Sequence, residues 1–175
     1  MWARPKKYFP VLVMLLLVLA LCACGYRLRG TGELRPDLKR VAFVPFVNQT
    51  VESHVEDDLY DALAGEFARS KNLQVVAVAD ADLLLSGTIT AIASSAISYS
   101  PDDKTYEYRV AMTIDVVATE ARTQEVFWRR SGMQEVDEYK AVAEPLLIDR
   151  RRQAALKRIC QVLAENIHDG LFTDF

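Results

Sequence analysis

The sequence predicts an α+β fold, a mixed and mostly antiparallel β-sheet with two α-helices packed on one of its faces. Two stretches carry apolar residues at helical spacing, and another alternates polar and apolar residues with a period of two. The elements follow in the order β-α-β-β-β-β-α. Strands that follow one another without an intervening helix most easily form antiparallel hairpins, whereas the first β-α-β unit should be parallel.

Composition limits the classes of protein to which the chain can belong. It has 175 residues, about one domain's worth, of which 51% are hydrophobic and 26% charged, as in folded globular proteins. The formal net charge of −3 excludes a strongly basic nucleic-acid binder. The single long apolar run lies at the N-terminus, which excludes a polytopic membrane protein. Three cysteines and two histidines leave little material for a metal site, and we expect no metal and no cofactor.

Residues 1–23 have the pattern of a lipoprotein signal peptide. Three basic residues, Arg4, Lys6 and Lys7, precede an apolar run over residues 11–22. This run is too short to cross the ~30 Å hydrocarbon core of a bilayer as a helix, and its composition is typical of a secretory signal. A buried N-terminal helix is the alternative, which the lack of any polar face disfavours.

A lipid-modified cysteine is predicted to follow the signal. Leu21-Cys22-Ala23-Cys24 resembles a bacterial lipobox, in which the Cys24 thiol takes a diacylglyceryl group and its new amino group is acylated, for example by palmitate. Cys22 is a poorer candidate because Leu21 is too bulky for a cleavage position, and an ordinary Cys24 behind a plain signal is the other alternative. Gly25, where Asp would signal inner-membrane retention, points to the periplasmic side of the outer membrane.

Residues 24–39 are predicted to be a lipidated tether, and residues 40–175 a single domain. The apolar segment 40–47 is predicted to be a strand inside the sheet, with Pro45 marking its end. Ser53 and Glu56 fit a capping box at the start of a helix over residues 53–70. Its apolar stripe recurs every four residues: Val55, Leu59, Leu63 and Phe67.

Four further strands and a second helix are predicted. The strands cover residues 73–78, 83–97, 106–116 and 126–136, and Gly87 within the second suggests a bulge or a close approach of backbone. Pro145 suits the first turn of the last helix, and Gly170 is predicted to stop it. The core-facing stripe of this helix comprises Leu156, Ile159, Cys160, Leu163 and Ile167, so Cys160 is expected to be a buried, inert thiol.

No arrangement of residues in the chain predicts catalysis. The sequence contains no nucleophile elbow, phosphate-binding glycine loop, zinc-protease helix or paired-cysteine motif, and its two histidines fall in separate helices. The acidic residues near position 56 fit complementation of a helix dipole better than a catalytic carboxylate pair. We therefore expect a protein that is not an enzyme.

Basic side chains are the candidate ligand-binding groups. Arg109, Arg129 and Arg130 fall on two late strands, with Lys104 at the turn before them, and arginine binds phosphate through two parallel hydrogen bonds. Arg109 and Arg129 are predicted to share the wetter face of the sheet, with Arg130 on the other. A solvated strand surface with acidic cross-strand partners is the alternative.

A second basic cluster, Arg150-Arg151-Arg152, begins the last helix, where the helix dipole disfavours positive charge. A solvated helix face is one interpretation, and compensation from Asp149 and Glu144, or from a partner, is the other.

Several segments together resemble the LptE family of lipopolysaccharide-assembly lipoproteins. They are the opening Cys24-Gly25-Tyr26-Arg27-Leu28-Arg29-Gly30, the segment Val44-Pro45-Phe46-Val47-Asn48-Gln49-Thr50 and the segment Ala81-Asp82-Leu83-Leu84-Leu85-Ser86-Gly87-Thr88-Ile89-Thr90. The resemblance implies a lipid-anchored protein that plugs the LptD β-barrel, assists its assembly and helps lipopolysaccharide reach the outer leaflet. It implies no catalytic residues, and it makes lipopolysaccharide the ligand expected at the basic side chains.

Part of this pattern also occurs in other periplasmic lipoproteins. The second and third segments are similar to parts of curli-secretion proteins and of activators of peptidoglycan synthases, so a secretion-pore component or a synthase activator is the alternative function. One departure from the LptE pattern lies in the last hairpin. Its turn, Arg122-Thr123-Gln124-Glu125, lacks the Thr-Gly pair expected there.

Overall fold

The computed structural model describes residues 38–70, 73–99 and 105–173. The predicted signal peptide, Cys24, most of the tether and Lys104 lie outside the described residues. The strands are β1 (Arg40–Phe43), β2 (Val47–Asn48), β3 (Gln74–Val75), β4 (Leu83–Tyr99), β5 (Thr105–Glu120) and β6 (Val126–Lys140). The helices are α1 (Val55–Arg69) and α2 (Pro145–Thr173), and a 3₁₀ turn covers Val78–Asp80.

The six described strands form one mixed sheet in the order β3-β1-β4-β5-β6, with β2 beside β4. Strand β1 lies parallel to both β3 and β4, because α1 carries the chain back before the next strands begin. The long strands β4, β5 and β6 are joined as antiparallel neighbours. The predicted α+β class and the parallel first unit are therefore confirmed.

Both helices cover the same face of this sheet, as predicted. Alternate residues of β5 from Val110 to Ala118 are buried, and they form one core with the predicted stripes of α1 and α2. The four apolar residues of the α1 stripe are at most 2% exposed. Burial of each such side chain contributes about 1.5–3 kcal/mol, so the amphipathic pattern is sufficient to fix the helices on this face.

The predicted capping box at the start of α1 is wrong. His54 is the residue that precedes the helix, with a left-handed φ of 65°, and no side chain caps the first turn. The Glu56 carboxylate instead accepts a hydrogen bond of 2.8 Å from Asn48 Nδ2. The acidic first turn of the helix remains favourable to its dipole.

Gly170 does not stop the last helix, which continues to Thr173. A β-carbon at position 170 would lie 2.7 Å from Cζ2 of Trp128. The glycine therefore permits close packing of α2 against β6, and the prediction that it ends the helix is wrong.

Strand boundaries also differ from the prediction where the chain is irregular. The predicted strand 40–47 is divided into β1 and β2, and only Gln74–Val75 of the predicted strand 73–78 pairs. Strand β6 continues to Lys140, four residues beyond its predicted end. In the turn before β6, Gln124 adopts the left-handed φ of 61° that a glycine would take more easily, and its side chain donates to the Ala121 carbonyl at 2.8 Å.

Candidate functional site

The two internal segments that resemble LptE pair in the structure, Val47 with Thr88 and Asn48 with Ile89. Asp82 accepts hydrogen bonds from the backbone N–H groups of Lys39 and Arg40, at 3.3 and 3.0 Å, and from the Arg40 guanidinium at 3.1 and 2.7 Å. The guanidinium hydrogen bonds lower the pKa of Asp82 from its ordinary 3.8 to about 2. Asp82 therefore fixes the start of β1 against the start of β4.

Asn48 organises the loop that leads into α1. Its amide nitrogen donates to the Glu52 carbonyl at 2.6 Å and to the Glu56 carboxylate. Its side-chain oxygen accepts from the Thr50 N–H at 2.9 Å and from the Thr50 hydroxyl at 2.8 Å. The Asn and Thr of this segment are thus used for loop geometry rather than for ligand contact.

Gly87 of β4 allows close packing in the same region. A β-carbon at this position would lie 2.4 Å from the Asp115 carbonyl oxygen and 2.4 Å from Cε1 of Phe46. Only glycine allows the Phe46 ring to lie over β4. We name this region the β1–β4 junction; it is formed by Arg40, Phe46, Asn48, Asp82 and Gly87. Four of these residues belong to the segments that resemble LptE, and their contacts fix the packing of the early strands on β4.

The face of the long strands opposite the helices is open in the described part of the chain. Its residues lie in rows across the strands, such as the apolar row Ala93, Ala111 and Val136 and the polar pair Thr113 and Gln134. We call this surface the open face. From residue 111 to residue 119 its side chains on β5 are half-buried by their neighbours, whereas several on β6 are exposed.

Arg109 lies on the open face near one end of the sheet. Its Nε and Nη2 donate to the same oxygen of Glu138 across the strand pair, at 3.2 and 2.7 Å. Each side chain is 49% exposed, so the pair is accessible to solvent and contributes little to stability. An anionic group could compete with Glu138 for this guanidinium.

Arg129 lies on the same face but far from Arg109. The register places it opposite Val117, and Arg109 is eight residues away along β5, about 26 Å. Arg130 lies opposite Val116, whose row faces the helices. The structure therefore places Arg109 and Arg129 on one face, as predicted, but does not bring them together around a single ligand.

The arginine run at the start of α2 is compensated from a distant part of the chain. Arg152 pairs with Glu52, and its Nε donates to the Ser94 hydroxyl at 3.2 Å. Arg151 donates to the Lys140 carbonyl at 3.2 Å. Asp149 instead accepts from Gln153. The expected compensation by Asp149 and Glu144 is thus replaced by Glu52, which lies 100 positions before Arg152 and which no local pattern indicates.

Groups with catalytic potential are dispersed through the described residues. No three His, Cys, Asp or Glu side chains among them are arranged to hold a metal ion. Cys160 is buried, and burial raises the pKa of its thiol to about 12, which makes it inert. His168 packs between the rings of Phe67 and Phe172.

One cavity lies between the start of α1 and the second helix. Its volume is about 250 Å³, and its walls include His54, Asp58 and Lys157. Lys157 Nζ lies 3.3 Å from an Asp58 oxygen, so the two charges neutralise each other. This arrangement gives the cavity no activated nucleophile. Within the described ranges, neither helix is long and apolar enough to cross a membrane.

Comparison with known proteins identifies a family. Residues 38–171 match the family model described as "LptE: Lipopolysaccharide-assembly". A comparison with curated proteins finds no match.

Solved structures share the fold at low sequence identity. The solution NMR structure of uncharacterized lipoprotein B from Nitrosomonas europaea has a TM-score of 0.57 and 12% identity, covering 86% of this chain and 92% of that one. A PelC dodecamer from Paraburkholderia phytofirmans has a TM-score of 0.52 and 12% identity, covering 81% and 94%. At these identities the likeness concerns the fold alone.

Proposed function

Because the chain belongs to the LptE family of lipopolysaccharide-assembly proteins, we propose that it is a non-enzymatic lipoprotein of the outer membrane. It is anchored through Cys24 on the periplasmic side, where it plugs an LptD-like β-barrel and assists its assembly. In that position it helps lipopolysaccharide reach the outer leaflet.

The arrangement of the described domain supports this role. The core closes on one face of the sheet and contains the inert Cys160 thiol. Outside it, the charges of Asp58 and Lys157 in the described cavity neutralise each other. The lumen of an outer-membrane barrel is polar, and a guest with its own core and a charged surface can occupy it without entering lipid. The observation that carries the proposal is the family match over residues 38–171, which span the whole sheet and nearly all of both helices.

Affinity purification of the whole lipoprotein tests the partnership. With a tag at the C-terminus, we expect a large outer-membrane β-barrel protein to co-purify in near-equal amount. Recovery of a peptidoglycan synthase, or of rings of this chain alone, would instead support the alternative function as a synthase activator or secretion-pore component.

Substitution of the anchor tests the localisation. Cys24→Ala should accumulate as an unprocessed precursor without fatty chains, because only a cysteine at this position can form the thioether. Cys22→Ala is the matched control and should be processed normally. Intact-mass measurement separates the two forms, and normal acylation of the Cys24→Ala variant would contradict the anchor.

We also propose that Arg109, Arg129, Arg130 and Lys104 contact the phosphates of lipopolysaccharide. Because Arg109 and Arg129 lie about 26 Å apart along the sheet, they serve as separate contact points. Arg109→Glu and Arg129→Glu should each weaken binding of lipopolysaccharide to the purified protein, more strongly at low salt, and together roughly additively.

Arg122→Glu is the matched control for this experiment. It makes the same change of charge on an exposed side chain of the β5–β6 turn, which lies outside the proposed contact set. Equal loss of binding in all three single variants would show that overall charge, and not these positions, governs the affinity.

A further inference from the structure

The outer half of β4 is a free strand edge within the described part of the chain. Strand β1 pairs with β4 over residues 83–85, and β2 pairs with it at Thr88 and Ile89. From Thr90 onward β4 pairs only with β5 among the described strands. About nine residues, or about 30 Å, of backbone therefore present donors and acceptors on one side.

This edge lacks the features that prevent strands from pairing with other chains. No charged residue and no proline occurs anywhere in β4, and the free half consists of Ala, Ser, Ile and Thr. Ala91, Ala93, Ser94 and Ser95 are exposed. An uncharged, exposed edge with small side chains is able to accept an additional strand.

The opposite edge of the sheet, β6, is protected. It carries six charged residues among its fifteen, and Gly132, with a φ of 66°, lies in an irregularity of its pairing with β5. The Gly132 N–H donates to the Asp115 carboxylate at 2.7 Å and not to a neighbouring strand. Charges and bulges are the means by which proteins block edge pairing. The β6 edge is therefore protected against an added strand, whereas the free half of β4 is not.

We propose that residues 90–98 of β4 are the docking site for an extended, uncharged segment of the barrel partner, which adds to the sheet as a strand. This inference rests on the proposed function. Main-chain hydrogen bonds hold the added strand, and the small side chains of β4 leave room for larger ones on the partner. The site therefore requires a segment in an extended conformation.

The charges around the edge favour a different protein over a second copy of this chain. Arg152, which pairs with Glu52, donates to the Ser94 hydroxyl. The two arginines before it on α2, at positions 150 and 151, are exposed. Two-fold pairing of β4 with itself near Ser94 would bring both copies of this arginine cluster together on one side of the joined sheet. A partner segment without basic residues avoids that repulsion.

One row of the sheet supplies a matched pair of test positions. Ala93 on β4 and Val136 on β6 both lie beside Ala111, on the open face, one at each edge. Both side chains are exposed, so lysine fits at either position without entering the core. Ala93→Lys introduces the charge that protected edges carry, and Val136→Lys makes the same change on the edge that is already protected.

The experiment uses the whole tagged lipoprotein produced together with its barrel partner. We expect Ala93→Lys to reduce the amount of co-purified barrel at least five-fold, and Val136→Lys to leave it unchanged. A photo-cross-linking residue at position 93, but not at position 136, should form an adduct with the barrel. Thermal unfolding of both lysine variants should match that of the parent protein.

The other outcomes have distinct meanings. If the parent protein retains its barrel and neither lysine substitution alters the yield, the strand-docking inference is wrong although the proposed function stands. Equal losses in both variants would also overturn it, since they would report surface charge alone. An adduct of this chain with itself would make a second copy the occupant. If the parent protein brings down no barrel, the proposed function itself fails.

Discussion

The carboxylate of Asp82 should account for a measurable and pH-dependent part of the stability of this fold. Asp82→Asn keeps the shape of the side chain and one acceptor oxygen, but it removes the charge that the Arg40 guanidinium and two backbone N–H groups stabilise. The variant tests whether the β1–β4 junction is held electrostatically or only by packing.

The expected size follows from the pKa of this group. The difference between 3.8 and about 2 corresponds to about 2 kcal/mol of stabilisation at neutral pH. Because the Arg40 side chain is 48% exposed, solvent screening reduces this to about 1–2 kcal/mol. The pKa is lower in the folded state, so the contribution is full above pH 4 and declines as the pH falls through the folded value. At pH 3 about half of it should be lost.

Urea unfolding followed by circular dichroism at pH 7, 5 and 3 measures this contribution. Asp61→Asn, which removes an exposed carboxylate from the middle of α1, is the control. We expect a loss of about 1–2 kcal/mol for Asp82→Asn at pH 7 and little change for the control. A gap between parent and Asp82→Asn that is the same at pH 7 and pH 3 would refute the electrostatic account.

Three further predictions concern single positions. Gly87→Ala should destabilise the protein by about 2–4 kcal/mol in thermal unfolding, because its β-carbon would lie 2.4 Å from the Asp115 carbonyl oxygen. In the same measurement Gly65→Ala should stabilise the protein by about 1 kcal/mol, because this position in α1 has open space around it. Cys160 should resist maleimide at pH 8 in the folded protein and react after unfolding in urea; labelling at equal rates would contradict its burial. His54→Gly should be more stable than His54→Ala by about 1 kcal/mol in urea unfolding, because only glycine adopts a φ of 65° without strain, and equal stabilities would exclude strain at this residue.

Elements with a local periodic signal were predictable from the sequence. The alternation in β5 indicates which side chains enter the core, and the four-residue stripe in α1 indicates the buried face, because both patterns depend only on near neighbours. The same period of two places Arg109 and Arg129 on one face. These parts of the fold need no knowledge of distant contacts.

Features that depend on distant contacts were not predictable. Gly170 faces Trp128, and the pairing of Arg152 with Glu52 joins positions at opposite ends of the domain. The separation of Arg109 from Arg129 follows only from the register of β5 with β6. The free edge of β4 likewise becomes visible only when the lengths of β1 and β2 are known, since these short strands leave half of a much longer one uncovered.

The position of α2 sets the order in which this domain can form. A chain is synthesised from its amino end, and the helix that packs on α1, β5 and β6 is made last, with residues 145–173. Completion of the core must therefore await this final segment, and its many long-range contacts make this step slow. A chain truncated before this helix should remain open and prone to aggregate, with the uncharged half of β4 among its most hazardous segments.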